Sequence, residues 1–438
     1  MIDNVLKWKN INRAVRQTMG NKGAAGVDKM PVSELKDYVQ IHKNKLFTSI
    51  VNQQYVPKAI LGVEIPKANG KTRLLGVPTV VDRMLQQAVN QSIAPHFELE
   101  FKDESYGFRP QRNAQQAVLQ AQKNINEGYK HIVDIDLKSF FDEVEHAILL
   151  QLIYRKVKCP TTLRLIRKWL QAPILIKGKL VKRRKGIPQG SPLSPLLSNI
   201  MLHELDKYLT TKKQKFVRYA DDFSIYCKGK LRAKEIGNQV FLYLKDKLHL
   251  PINREKSGIR RPSSFTVLGY GFTSAYEKGV KDKYQLVVSE KSWQRLKGEL
   301  KEITRKTSPQ SFDMRISKLK QVQRGWVNYF RLASITSKLQ KVDSWLRNRL
   351  RYCIWKDWKK PERKRKNLIR LGVPRGKAYA YSRTRKGGWA VAQSPILTTT
   401  ITLERLRKRG YESLEVHYLK VSPMFNEPLY TRPVRTVV

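Results

Sequence analysis

The chain has 438 residues, and its 86 Lys and Arg against 36 Asp and Glu give a formal net charge of +50. A surplus of that size repels itself in a compact fold and calls for a polyanion, with nucleic acid the first candidate and an anionic membrane surface the competitor. No apolar run approaches the roughly 18 residues a spanning helix needs, and Cys159, Cys227 and Cys353 are too few and too scattered for a disulfide framework or a zinc site.

Seven histidines show no ligand spacing, and the start Met1-Ile2-Asp3-Asn4-Val5-Leu6-Lys7 turns polar too soon for a signal peptide. A reducing interior is the expected compartment, with no membrane partner. The length suggests about three domains.

In chain order, Val80 to Phe97 carries Val81, Met84, Leu85, Ala88, Val89 and Ile93 on one stripe, which predicts an amphipathic helix with Asp82 and Arg83 near its start. The run 131–137 alternates apolar and acidic residues as a half-buried strand does, so Asp134 and Asp136 project from one face. A carboxylate in such a place needs a metal ion, an Arg or a hydrogen-bond donor. A helix is predicted around 144–156, and another around 192–209 from Leu193, Leu196, Leu197, Ile200, Met201 and Leu205. Short strands around 215–219 and 223–227 flank Tyr219-Ala220-Asp221-Asp222, presenting two adjacent carboxylates at a hairpin tip. Neighbouring like charges raise each other's pKa unless a cation joins them, so an ionised, sheltered pair predicts a divalent ion.

From 286 to about 362 the pattern turns helical, with Trp293, Leu296, Leu300 and Ile303 on one helix and Ile316, Leu319, Val322, Trp326 and Phe330 on another. The interval 341–390 holds 17 Lys or Arg against Asp343, Asp357 and Glu362, with Tyr352, Trp355, Trp358, Tyr379, Tyr381 and Trp389 interleaved. Cations bind phosphates and aromatics stack on unpaired bases, so this mixture suits single-stranded or irregular nucleic acid. Pro361 to Lys366 reads as a boundary.

Asp136-Leu137-Lys138-Ser139-Phe140-Phe141-Asp142, then Gly186-Ile187-Pro188-Gln189-Gly190-Ser191-Pro192, then YADD, resemble in order and spacing the palm motifs of reverse transcriptases. Val63 to Lys67 with Arg73 to Thr79 looks like that family's fingers block, and Ser105 to Pro110, Asn253 to Ser257 and Phe265 to Phe272 look like further blocks. Asn21 to Asp28, Arg324-Gly325-Trp326-Val327-Asn328-Tyr329-Phe330, Leu371 to Pro374 and Arg385 to Pro395 resemble the group II intron-encoded type with its maturase region. After Cys353 only His417 remains, without the Cys and His array of an HNH nuclease, so the resemblance is to the shorter kind lacking it.

The resemblance implies an α+β right-hand polymerase: fingers and palm over 1–285, a helical thumb or maturase domain over 286–362, and a small basic DNA-binding domain over 363–438. It implies two Mg²⁺ ions, with Mn²⁺ as a substitute, held by catalytic Asp136, Asp221 and Asp222. Asp134 is the rival to Asp136, and the family spacing to Asp142 favours Asp136. Lys67 and Arg73 would clamp the nucleotide, Phe141 would exclude a ribose 2′-hydroxyl, and Gln189 would line the pocket. Arg109, Lys256, Arg324, Trp326, Arg363, Lys364, Arg365 and Lys366 are the implied nucleic-acid contacts. Implied partners are group II intron RNA, an RNA template, a DNA primer or target DNA, and dNTPs, in a bacterial or organellar interior near the nucleoid. A non-catalytic RNA-binding maturase, or a retron, diversity-generating or CRISPR-associated reverse transcriptase, is the alternative; the region from Arg324 onward argues for the intron type.

Overall fold

The acidic motifs lie on an antiparallel sheet whose strands follow from apolar alternation. In the computed structural model, which describes residues 1–66, 70, 72–277 and 280–423, the chain divides into two units, Met1–Phe265 and Thr266–Val438.

In the first unit, strands β1 (Ile60–Pro66), β2 (Thr72–Val77), β4 (Ile174–Ile176) and β5 (Lys179–Val181) form one sheet in the order β2-β1-β4-β5. The second sheet comprises β3 (His131–Ile135), β6 (Lys215–Tyr219), β7 (Asp222–Cys227) and β8 (Gly258–Arg260), ordered β6-β7-β3-β8 with every pair antiparallel. Helix Lys230–Asp246 packs on β3 and β7 and buries Ala233, Ile236, Val240 and Leu244. Strand β3 ends at Ile135, two residues before the alternation does, because the backbone of Asp136 is taken up elsewhere: its N–H donates to Ser257 Oγ at 3.0 Å and its carbonyl accepts from Asn253 N at 2.8 Å.

The stripe read from Val81 to Ile93 becomes helix Val80–Glu98, and every residue from Val80 to Val89 is buried, polar ones included. Asp82 tolerates this because it accepts from Tyr55 Oη at 2.7 Å, Thr79 Oγ1 at 2.8 Å and Trp169 Nε1 at 2.9 Å. Helix Ser194–Thr211 fulfils the expectation around 192–209, with Leu196, Leu197, Ile200, Met201 and Leu205 in the core.

In the second unit, β9 (Thr266–Val267), β10 (Tyr270–Glu277) and β11 (Val280–Val288) form a sheet in the order β11-β10-β9. Helices Glu290–Ile303 and Phe312–Phe330 each start behind a serine that caps a backbone N–H, Ser289 to Ser292 and Ser311 to Met314. Their stripes bury Trp293, Leu296, Leu300, Ile316, Leu319 and Phe330, as the periodicity predicts. Helix Thr336–Asp357 follows. Pro361 to Lys366, read as a boundary, forms the first turns of helix Pro361–Arg370, with Pro361 at the first helical position where its missing N–H costs nothing.

Two buried devices organise this unit. Arg315, 1 % exposed, donates to the carbonyls of Ile303, Arg305, Ser308 and Gln310, while Arg349 donates to those of Lys301 and Thr304. Both cations thereby satisfy the carbonyl end of helix Glu290–Ile303, where the dipole favours positive charge. Asp343, counted in the sequence as one acid in a basic tract, is 1 % exposed. It accepts from Tyr411 Oη at 2.9 Å, Ser413 Oγ at 2.5 Å, and the N–H groups of Leu414 and Glu415 at 3.0 Å, so it anchors the N-terminus of helix Leu414–Val421.

Candidate active site

Strands β6 and β7 are joined through Ala220 and Asp221 alone, with Tyr219 paired to Asp222, so the predicted hairpin tip is present. Ala220 takes φ +57°, the left-handed region a residue with a Cβ enters at a cost, and the structure beneath it holds it there. Arg218 is wholly buried and donates to Asp206 Oδ1 at 2.8 Å, Asp206 Oδ2 at 2.6 Å, Asn199 Oδ1 at 2.9 Å and the Ala220 carbonyl at 3.1 Å. Asn199 in turn donates to the Gly107 carbonyl at 2.9 Å. A Cβ on Gly107 would collide with the backbone of Ala220 and Tyr219, so only glycine lets this segment run against the turn.

Asp134 and Asp136 have separate fates. Asp134 pairs with Arg260 Nε at 2.7 Å on neighbouring strand β8, which supplies the arginine partner and leaves Asp136 beyond the strand end, where its charge acts on Asp221 and Asp222. The Asp136 carboxylate lies 3.4 Å from Lys256 Nζ. Partial desolvation at the turn pushes the Asp222 carboxyl up to about 6 although the residue keeps an exposed surface, and the negative charges of Asp221, Asp136 and Asp134 add to it. Asp221 is raised too, mainly by burial with a contribution from Asp136, against its own backbone N–H, Arg73 and Arg218. The raised carboxylates and their mutual repulsion fit a divalent cation in charge. They do not form a ready cage: among the described residues no three His, Cys, Asp or Glu side chains stand close enough to hold a metal ion, so the expected gathering of Asp136, Asp221 and Asp222 is electrostatic.

The fingers-type hairpin reaches the same place. Arg73 on β2 donates to the Gln189 side chain and acts on Asp221 through its charge. The Gly76 N–H donates to the Gln189 carbonyl at 2.7 Å. Gly190, at φ +106°, sits where a Cβ would press on the Gly76 carbonyl. Phe141 is half-buried edge-on against Phe140, and its carbonyl accepts from Ile187 N at 2.6 Å, which ties the Gly186–Gly190 loop to it. Lys67 lies outside the described residues.

Of the implied nucleic-acid contacts, Arg109 is turned inward. Its side chain is 5 % exposed, pairs with Glu98 at 2.7 Å and donates to the carbonyls of Lys102 and Ser105, so it is an internal pin with no donor face left for phosphate. In the second unit, Arg324 is exposed but pairs with Glu412 at 2.7 Å, and half-buried Trp326 packs between Trp293 and Phe330. Arg363 and Lys366 are exposed, Lys364 lies 4.4 Å above the Trp355 ring, and Arg365 pairs with Glu362 at 2.9 Å. Sequence reasoning missed Arg218, Asp206, Asn199 and Arg260. The one signal present was an arginine following the apolar pair Phe216 and Val217 in the strand that leads to the acidic turn.

Comparison with known proteins gives the geometry its family. The family profile described as Reverse transcriptase (RNA-dependent DNA polymerase) matches residues 65–272, and the one described as Group II intron, maturase-specific domain matches residues 293–372. Protein YkfC of Escherichia coli (strain K12) is 30% identical over 298 residues, covering 59% of this chain and 78% of that one. The Group II intron-encoded protein LtrA of Lactococcus lactis subsp. cremoris is 37% identical over 207 residues, 47% of this chain and 34% of LtrA. A Putative COX1/OXI3 intron 2 protein of Saccharomyces cerevisiae is 27% identical over 286 residues, 52% of this chain and 33% of that protein. The match thus spans about a third of the two intron proteins. Reverse transcriptases use divalent metal ions, in keeping with the charge at the turn, and among the described residues no helix is long and apolar enough to cross a membrane. With a reverse transcriptase domain followed by a maturase domain, the chain belongs to the group II intron-encoded reverse transcriptases.

Proposed function

We propose that the protein is an RNA-directed DNA polymerase that adds dNTPs to a primer 3′-hydroxyl with two Mg²⁺ ions, and that it binds its intron RNA to assist splicing and retrohoming. The observation that carries this is the hairpin turn with Asp221 and Asp222, coupled in charge to Asp136 on one side and Arg73 on the other. Mg²⁺ bound there would lower the pKa of the primer hydroxyl and neutralise the triphosphate.

The chain's own residues do the positioning. Asp136, Asp221 and Asp222 would offer the carboxylates, and Asp136 would exchange Lys256 for the cation. That exchange is cheap, since the Lys256 side chain is 66 % exposed and such a pair contributes only about 0–1 kcal/mol. Arg73, with Lys67, supplies positive charge to the triphosphate, oriented by Gln189. Phe141, fixed through its carbonyl to the Gly186–Gly190 loop, would meet the sugar. The exposed cations on helix Pro361–Arg370 would track phosphates, in a functional division at about 285 and 362.

The match of residues 293–372 to the maturase-specific domain leaves a second reading, a non-catalytic maturase. One experiment separates the two: purified, nucleic-acid-free protein is given an RNA template, a DNA primer, dNTPs and Mg²⁺. Extension is expected, lost in the Asp221→Ala/Asp222→Ala variant while that variant still supports splicing. Wild-type protein that makes no cDNA refutes the polymerase and leaves the maturase.

A further inference from the structure

Helices Glu290–Ile303 and Thr336–Asp357 enclose a cavity of about 410 Å³. Its walls include two indoles, Trp293 and Trp345, and its rim carries Lys297, Lys338, Lys341 and Glu290. Three ammonium groups thus face one carboxylate. That carboxylate, Glu290, lies 3.9 Å from Lys338, and among the described residues Lys297 and Lys341 form no ion pair. Trp293 is only 3 % exposed, its ring packed against Trp326 and centred 5.7 Å from Lys338 Nζ, and among the described residues its indole N–H is buried without a hydrogen-bond partner, which proteins rarely leave unmet. Trp345 is half-buried.

We infer that this cleft binds one unpaired nucleotide of an RNA strand, with the base against Trp345 and the phosphates on Lys297 and Lys341. The inference rests on the RNA-binding part of the proposed function and gives it a site. The cavity falls within the about 300–1,000 Å³ of small-ligand clefts, which admits a nucleotide and excludes a duplex. Half-buried Trp345, with the Arg349 guanidinium 5.6 Å from the centre of its ring on one side, offers a base its other face, and the Trp293 indole N–H needs an acceptor, which nucleobase carbonyls and phosphates both provide. An acidic peptide would use the lysines and leave the indoles idle.

The test uses the full chain and two fluorescent probes, a single-stranded uridine 12-mer and a 12-base-pair RNA duplex, titrated over a range of salt. Trp345→Ala is expected to weaken binding of the single strand about five- to a hundredfold, with Trp345→Phe close to wild type and the duplex unaffected. Lys297→Gln/Lys341→Gln, on exposed positions, is expected to lower the salt slope by about 0.7 for each phosphate no longer neutralised. A 12-mer carrying 4-thiouridine should crosslink within 338–347 on irradiation.

Unchanged single-strand binding in both variants, or equal weakening of strand and duplex, overturns the inference; if Trp345→Ala melts early, the lysine variant and the crosslink decide. Primer extension on the same preparations separates the failures. Wild type that neither binds nor extends refutes the proposed function, whereas wild type that does both, with variants indistinguishable from it, refutes the cleft alone.

Discussion

Replacing Asp206 by Ala tests what holds the acidic turn. Arg218 and Asp206 are both fully buried, and the substitution removes the two charge-assisted acceptors at 2.8 and 2.6 Å while leaving the guanidinium only the Asn199 and Ala220 oxygens. An uncompensated buried charge of this kind costs about 3–5 kcal/mol, which lowers the melting temperature of a unit this size by about 6–20 °C. The paired replacement Asp206→Leu/Arg218→Met removes both charges, and because apolar substitution of a buried pair is neutral or stabilising, melting should return close to wild type. Synthesis should not return, since nothing then holds the Ala220 carbonyl and the turn is free to shift. Calorimetry and primer extension on the three proteins read both quantities. A shift below about 2 °C in Asp206→Ala, or a double variant that regains polymerase activity together with stability, refutes the assignment of Arg218 as the support of the turn.

Asp222 makes stability depend on pH. Its folded value of about 6 exceeds the ordinary 3.8, so the folded protein holds this proton more tightly and stability falls as pH rises between those values. In EDTA, the melting temperature of Asp222→Asn should therefore rise relative to wild type through that window and the gap should level off above it; a constant gap contradicts the shift. Gly107→Ala should cut cDNA synthesis while retaining every carboxylate, because the new Cβ drives into the backbone at Ala220; unchanged kcat would refute the close approach. Asp343→Ala strands Tyr411, Ser413 and the N–H groups of Leu414 and Glu415, and should destabilise the attachment of helix Leu414–Val421 by about 2–4 kcal/mol. Hydrogen exchange should show those two amides deprotected and helix Thr336–Asp357 still protected, and retained protection at Leu414 would refute the anchor.

The hairpin and its flanking strands were legible because alternation and an acidic turn are local signals. The helix stripes were legible for the same reason, although the one from Val81 understated a helix whose polar side is also buried. What could not be read was partnership across the chain. Asp134 and Asp136 look equivalent until Arg260, 126 residues from Asp134, neutralises the first. Arg109 reads as a surface cation in its motif, and its carbonyl partners are invisible because any residue supplies a carbonyl. Asp343 sits among so many cations that its own burial leaves no trace in composition.

Among the described residues the buried cations are Arg83, Arg109, Arg218, Arg315 and Arg351, and none is a lysine. A planar fork with five donors can rivet several carbonyls in full burial, whereas a strongly hydrated ammonium is costlier to bury: Lys168, which donates to the Gln53 and Tyr55 carbonyls at 2.7 Å, is only half-buried. Among the described residues every fully buried cation is therefore a guanidinium, while other arginines, Arg363 among them, share the surface with the lysines. Acylating reagents that discharge lysine should consequently weaken polyanion affinity while the architecture pinned by the buried arginines endures, and formal charge overstates how many phosphates the protein can neutralise.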